Sequence, residues 1–165
     1  MIDKDFLQLP YRPNAGLVLL NKSGEIFAGK RIDTPDAWQM PQGGVDKGES
    51  SEAAALRELA EETGVSADLV EILAKTGDWL KYDFPPEVAR KLFTTKKGKA
   101  KFRGQQQRWY LLRFLGADDQ VNIHTAEPEF SEWRWMQPET LLTHIVPFKR
   151  DIYRSVFTEF NDWLS

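Results

Sequence analysis

Residues 43–65 read GGVDKGESSEAAALRELAEETGV. The middle of this stretch has the composition of a helix with both ends marked. Ser50 suits an N-cap, Glu52 falls in the electropositive first turn, and Gly64 stands where a helix often ends in a left-handed residue. The spacing predicts a helix over 51–63. At about 100° per residue, Ala53, Leu56, Leu59, Ala60 and Thr63 fall on one side and Glu58, Glu61 and Glu62 on the other. The first side is expected to pack on a sheet and the second to face outward. Like charges three and four residues apart cost a helix roughly 0.2–0.5 kcal/mol per pair. A bare run of this kind is most often solvated surface.

The surroundings suggest a use for the repulsion. Mg²⁺ and Mn²⁺ are hard cations that take oxygen ligands, and a divalent ion would turn clustered carboxylates into a ligand set. Gly43-Gly44 lets the backbone come close, since glycine has no Cβ, and a carbonyl at Gly43 could join the coordination. Glu49 could ligate or hold Arg57, whose planar fork orients carboxylates.

Outward from this helix, 15–20 (AGLVLL) reads as a buried strand closed by the turn signal 21–24, and 25–30 as its hairpin partner. Residues 38–41 form a short strand stopped by a proline. Further strands are expected over 69–75, 78–82, 107–115 and 132–136. Two helices close the chain, at 138–144 and over 148–164, the second with Phe148, Ile152, Val156, Phe160 and Trp163 along one stripe. Helices among strands predict an α/β or α+β layered domain with one mixed sheet covered on both faces.

The chain has 165 residues, which suits a single domain spanning 1–165, and 41% of them are hydrophobic, enough for a sizeable core. It has no cysteine, which excludes disulfides, thiolate zinc sites and a cysteine nucleophile. No segment is long and apolar enough to span a bilayer, and the start, MIDKDFLQLP, is unlike a targeting peptide. A soluble cytoplasmic protein is the expectation. The net charge of −3 argues against bulk coating of nucleic acid. The charge is uneven, however: between Glu87 and Asp118 there are nine basic residues and no acidic one. That segment is either a solvated loop or a seat for a polyanion. Lys30 and Arg31, at the end of the second strand, are candidates to hold phosphates. His124 and His144 are isolated, and nothing in their spacing supports metal ligation.

Gly43, Glu49, Arg57-Glu58-Leu59, Glu61-Glu62 and Gly64-Val65 match the Nudix box at every specified position. The chain therefore resembles the Nudix hydrolase family. The resemblance implies an α/β/α sandwich around a mixed sheet, with the box as a loop–helix–loop. It also implies hydrolysis of a nucleoside diphosphate linked to another group, using Mg²⁺ or Mn²⁺, two or more ions. The flanks Tyr11-Arg12-Pro13-Asn14, 38–44, Gly104-Gln105, Pro128-Glu129-Phe130, Trp133-Arg134-Trp135 and Phe148-Lys149-Arg150 resemble the bacterial RNA pyrophosphohydrolase branch, also described as dinucleoside polyphosphate hydrolase. That branch removes pyrophosphate from the 5′-triphosphate end of RNA, initiating mRNA decay, or splits compounds such as diadenosine tetraphosphate.

By that resemblance Arg12 and Phe148 would hold a nucleobase between a guanidinium plane and a ring. Tyr82, Gln105 and Lys149 would contact base or phosphate. The general base would be Glu58 or Glu129. The 32–36 loop is slightly long for the branch, and 94–103 matches it loosely. A third reading, a non-catalytic nucleotide or RNA sensor on the same fold, would be expected to lack the glutamates that are present here.

Overall fold

A computed structural model of the chain describes residues 5–92 and 100–164, without the side chains of Arg90 and Leu92. Most of the lysine-rich stretch within 94–103 lies outside these residues.

The strands are β1 Tyr11–Leu20, β2 Ile26–Arg31, β3 Trp38–Gln39, β4 Gln42–Gly44, β5 Val70–Lys75, β6 Leu80–Asp83, β7 Gly104–Phe114 and β8 Phe130–Met136. The helices are α1 Ser51–Thr63, α2 Pro86–Leu92, α3 Pro138–His144, α4 Arg150–Glu159 and α5 Asn161–Leu164. All eight strands join one sheet with the path β3-β2-β1-β7-β5. β4 pairs with β1, β6 with β7 and β8 with β2. The sheet is mixed: β1 and β7 run parallel from Tyr11↔Gly104 to Leu20↔Arg113, and the other pairs are antiparallel.

That central parallel pair explains the unbroken apolar run 15–20. A strand covered on both faces needs no polar alternation. Leu17 and Leu19 point into one core with Ala54, Ala55 and Leu59 of α1. Val18 and Leu20 point into the other, with Leu141 of α3 and Ile152, Tyr153 and Val156 of α4. The result is the expected three-layer α/β/α arrangement. Among the described residues no helix is long and apolar enough to cross a membrane.

Helix α1 has the expected bounds and caps. Ala53 N donates to Ser50 Oγ at 3.1 Å, and Gly64 is left-handed at φ 71. Its predicted faces are corrected. Ala54, Ala55, Leu59, Glu62 and Thr63 are buried, while Ala53 and Ala60 are exposed. Alanine carries too little surface to choose a face, and the sheet selects Ala54 and Ala55 instead. The three glutamates therefore do not share an outward side: the side chain of Glu58 is 12% exposed and that of Glu61 56%, and Glu62 is 5% exposed.

The long C-terminal helix is also corrected. It divides into a 3-10 turn at Pro147–Lys149, then α4, then α5, with Phe160 out of helical geometry at φ −97 and ψ 16. Asn161 and Asp162 follow, residues that favour caps and turns over helix interiors. Ile152, Val156 and Phe160 of the stripe are core, whereas Trp163 is exposed. Helix α2 was not anticipated, although Pro86 and Glu87 are ordinary helix-start residues. β1 and β7 begin earlier than expected because Pro13 and the polar Gln105-Gln106 obscure the strand pattern.

Candidate active site

The site begins where β4 meets α1. Successive residues of a strand point to opposite faces, and the two glycines of β4 use this. A Cβ on Gly43 would fall 2.0 Å from the Glu58 carboxyl carbon, and one on Gly44 would fall 2.4 Å from Arg12 Nη2. The α1 carboxylate thus rests on one glycine and the Arg12 guanidinium on the next.

Arg57 ties the intervening loop to the helix. Its Nε and Nη2 donate to the two Glu49 oxygens, both at 2.9 Å, and Nη2 donates to Gly44 O at 2.8 Å. Nη1 donates to Glu58 Oε1 at 2.8 Å and Glu61 Oε2 at 3.2 Å. These hydrogen bonds, Glu49's first, raise the Arg57 pKa, and they hold the Glu49 carboxyl down at about 2. Of the two roles open to Glu49, the structure shows it holding Arg57.

Glu62 lies deeper. Its Oε2 accepts from Gln42 N at 3.0 Å. Burial, then the charges of Glu58 and Glu129, push its pKa well above the ordinary carboxylate value. Burial likewise raises Glu58 to about 6 against the pull of Arg57, with Glu61 and Glu129 adding repulsion. Glu129 joins the helix carboxylates in lining a cleft of ≈ 510 Å³, with Glu58, Glu61, Glu62, Thr125, Glu127 and two alanines. Such a donor set, hard, anionic and partly buried, is what a divalent cation compensates. Among the described residues no three such side chains already converge as a preformed ligand group, in keeping with Glu61 turned to Arg57.

The substrate candidates lie beside this cleft. Arg12, Gln105 and Tyr82 form one row across three strands, since Arg12 pairs with Gln105 and Gln105 with Tyr82. Tyr82 OH donates to Gln105 Oε1 at 2.6 Å, and the Phe148 ring lies 6.1 Å from that of Tyr82. The spacing of residues had not shown that Gln107 supports this row. Its amide donates to Asn14 at 2.9 Å and Gln42 at 2.8 Å, and its oxygen accepts from Trp109 Nε1 at 3.0 Å. Its neighbours Gln105, Gln106 and Arg108 are all polar, so the sequence offered no signal that Gln107 would be buried.

A family model described as the NUDIX domain matches residues 10–156. The chain belongs to the NUDIX domain family. Membership brings hydrolysis of phosphoric anhydrides and a general requirement for divalent metal ions. This Nudix chain is 52% identical to a protein of Dinoroseobacter shibae named RNA pyrophosphohydrolase, over 99% of the chain and 100% of that relative. A Novosphingobium aromaticivorans protein of the same name is also 52% identical, with 95% and 96% covered. Among solved structures, a C. elegans Ap4A hydrolase shares the fold at TM-score 0.63 and 24% identity, covering 92% of this chain and 98% of that one.

The cations proposed for phosphate, which are not part of the cleft lining, differ in their surroundings. Arg31 donates to Asp33 at 2.7 and 2.6 Å and to Gln39 at 3.0 Å, and Lys30 lies 4.0 Å from Asp36. Both acids belong to the 32–36 loop. Lys149 is 6% exposed, and its Nζ donates to Gln39 Oε1 at 3.3 Å. Burial, followed by the charge of Arg31, lowers its pKa to about 7.

Proposed function

We propose that this chain removes pyrophosphate from the 5′-triphosphate end of RNA, leaving a 5′-monophosphate and so initiating mRNA decay, with its whole length acting as one hydrolase domain. The observation that carries the reading is 52% identity over nearly the full length to proteins named RNA pyrophosphohydrolase. The geometry supports it, since an acidic cleft adjoins the row Arg12–Gln105–Tyr82, whose guanidinium, amide and ring are of the types that contact base and phosphate.

Glu58, Glu62 and the Gly43 carbonyl would hold two or more Mg²⁺ or Mn²⁺ ions, joined by Glu61 once it leaves Arg57. When bound, the ions neutralise polyphosphate charge and make a coordinated water more acidic. Glu49 and Arg57 keep the Gly44 loop and the helix carboxylates in place. Glu129 lines the cleft with Glu58 and Glu62 and, unlike Glu58 and Glu61, takes no hydrogen bond from Arg57, which suits it to take the proton as water attacks phosphorus. Arg31, Lys30 and Lys149 bind phosphate oxygens, with Asp33 and Asp36 giving way. Arg12 and Phe148 stack a base, a use to which guanidinium and aromatic faces are suited, and Tyr82 and Gln105 form the wall beside it.

A side-by-side assay with Mg²⁺ tests the reading. One reaction holds a short 5′-triphosphorylated RNA with an unpaired end, the other diadenosine tetraphosphate. Much faster release from the RNA is expected. Faster cleavage of the dinucleotide would make this a small-molecule hydrolase instead.

A further inference from the structure

Arg31 closes β2 beside the acidic cleft. It pairs with Phe130 of β8, and the amide of the next residue, Ile32, donates to Glu129 O at 3.1 Å. The charges of Glu129 and Glu62, two of the carboxylates lining that cleft, act on its guanidinium. Its Nη1 donates to Gln39 Oε1 at 3.0 Å, and the Lys149 ammonium donates to the same oxygen. One side of the guanidinium is thus fixed to β3.

The other edge is occupied by the protein itself. Nε and Nη2 donate to Oδ1 and Oδ2 of Asp33 at 2.7 and 2.6 Å. Two parallel N–H···O bonds are the geometry by which arginine grips a carboxylate and, equally, a phosphate. A phosphate cannot use this edge until Asp33 leaves it. The carboxylate is held ready and ionised: Thr34 Oγ1 donates to Oδ1 at 3.0 Å, and the Arg31 hydrogen bonds keep its pKa down at about 2. It also has room to leave. Its side chain is 63% exposed, and Ile32, Pro35 and Asp36 of the same loop are exposed too. The loop is anchored at its feet, where Arg31 N donates to Ala37 O at 2.8 Å and Ile32 N to Glu129 O.

We propose that Asp33 is an internal competitor for the phosphate-binding edge of Arg31, displaced when the polyphosphate binds and returning to expel the pyrophosphate product. The proposal rests on the function given above, which puts phosphate on Arg31. The exchange is between two anions of like geometry. The carboxylate is tethered two residues away and so acts at a high effective concentration, while an exposed ion pair is weak enough to be opened by a ligand with several charges. Asp33 thus lowers affinity for substrate and product alike, and what it speeds is departure.

Calorimetry with inorganic pyrophosphate in Mg²⁺ compares wild type with Asp33→Asn, Arg31→Gln and the double variant. Arg31→Gln should weaken pyrophosphate binding. Asp33→Asn, which keeps the shape and removes the charge, should tighten it by about threefold or more, the scale of an exposed ion pair. The double variant should bind no tighter than Arg31→Gln alone, because the competitor acts through Arg31. Pyrophosphate should inhibit RNA processing by Asp33→Asn more strongly in the same proportion. Asp33→Asn should melt within about two degrees of wild type, since an exposed pair adds little stability. Unchanged or weaker pyrophosphate binding in Asp33→Asn would overturn the proposal, the weaker case by showing that Asp33 positions Arg31. An equal gain with and without Arg31 would overturn it by reducing the effect to the field of a lost charge, and so would wild-type binding in Arg31→Gln. Failure of the wild type to release pyrophosphate from triphosphorylated RNA would instead overturn the functional reading.

Discussion

Gly43 and Glu58 are in contact across the β4–α1 junction, with space between them for a hydrogen and not for a methyl group. A Cβ on Gly43 would fall 2.0 Å from the Glu58 carboxyl carbon and 2.2 Å from its Oε1. The clash is with the end of a side chain that can swing aside, so the fold should survive while the carboxylate moves. Gly43→Ala is expected to lower Mn²⁺ affinity and kcat/KM by about tenfold or more, the order of effect seen when metal-orienting groups are displaced. Its circular dichroism should match wild type. Titrating Mn²⁺ by calorimetry checks this, and wild-type affinity would dissociate Gly43 from the metal site.

Glu62 is pressed between Glu58 and Glu129 with one backbone donor. Glu62→Gln should reduce the rate at least about a hundredfold, as for loss of a metal ligand. Without metal it should melt no lower than wild type at pH 7, because the substitution removes a buried charge facing two like charges. Stopped assays and thermal melts in chelator give the two readouts. A variant of unchanged rate would remove Glu62 from the site.

The stability of the metal-free protein should pass through a maximum as pH falls. Glu58 is raised from 4.5 to about 6, so its contribution is fully present below 4.5 and lost as pH rises through 6. Glu49 is depressed from 4.5 to about 2 by Arg57, so its contribution is present above 4.5 and lost as pH falls toward 2. Melting temperature should therefore rise from pH 7 toward about 4.5 and fall below it. Glu49→Gln should blunt the acid-side fall. Calorimetry across this range would show a steady decline from pH 7 if the Glu58 carboxyl were not raised.

Phe148 lies against Tyr82 and shares the flank of the cleft with Arg12 and Gln105. Base stacking on an aromatic ring contributes about 1–3 kcal/mol per base. Phe148→Ala should raise KM for triphosphorylated RNA roughly tenfold or more, with a smaller effect on inorganic triphosphate, which has no base. Equal effects on both would mean that Phe148 shapes the cleft without stacking.

Tyr153 OH accepts a hydrogen bond from Met40 N at 2.9 Å, joining α4 to the segment that leads into Gln42–Gly44. Tyr153→Phe leaves that buried donor unpaired and should cost about 1–3 kcal/mol, measured by urea denaturation. Activity should fall less than in the glycine variant, because the Gly43–Glu58 contact itself is retained.

The helix over 51–63, its caps and the identity of the box residues were legible in the sequence, because caps and ligand spacing are local properties of a few consecutive residues. The three-layer plan was legible too, from apolar strands alternating with helical stripes. Which way α1 turns was not. Four alanines among its thirteen residues left the apolar moment weak, and the sheet decided that Glu62 goes inward and Ala60 outward. The pairing of Gln105 with Arg12 and Tyr82, the hydroxyl of Tyr153 on Met40, and the meeting of Glu129 and Glu58 in one cleft join residues tens of positions apart. No periodicity records such contacts, since they depend on strand register and on where loops are clamped. The sequence by itself therefore determined which chemical groups the Nudix box supplies. Only the tertiary structure decided which of them are buried, which face one another and which are already engaged, because burial and charge proximity, not residue type, set how a carboxylate or an amine behaves.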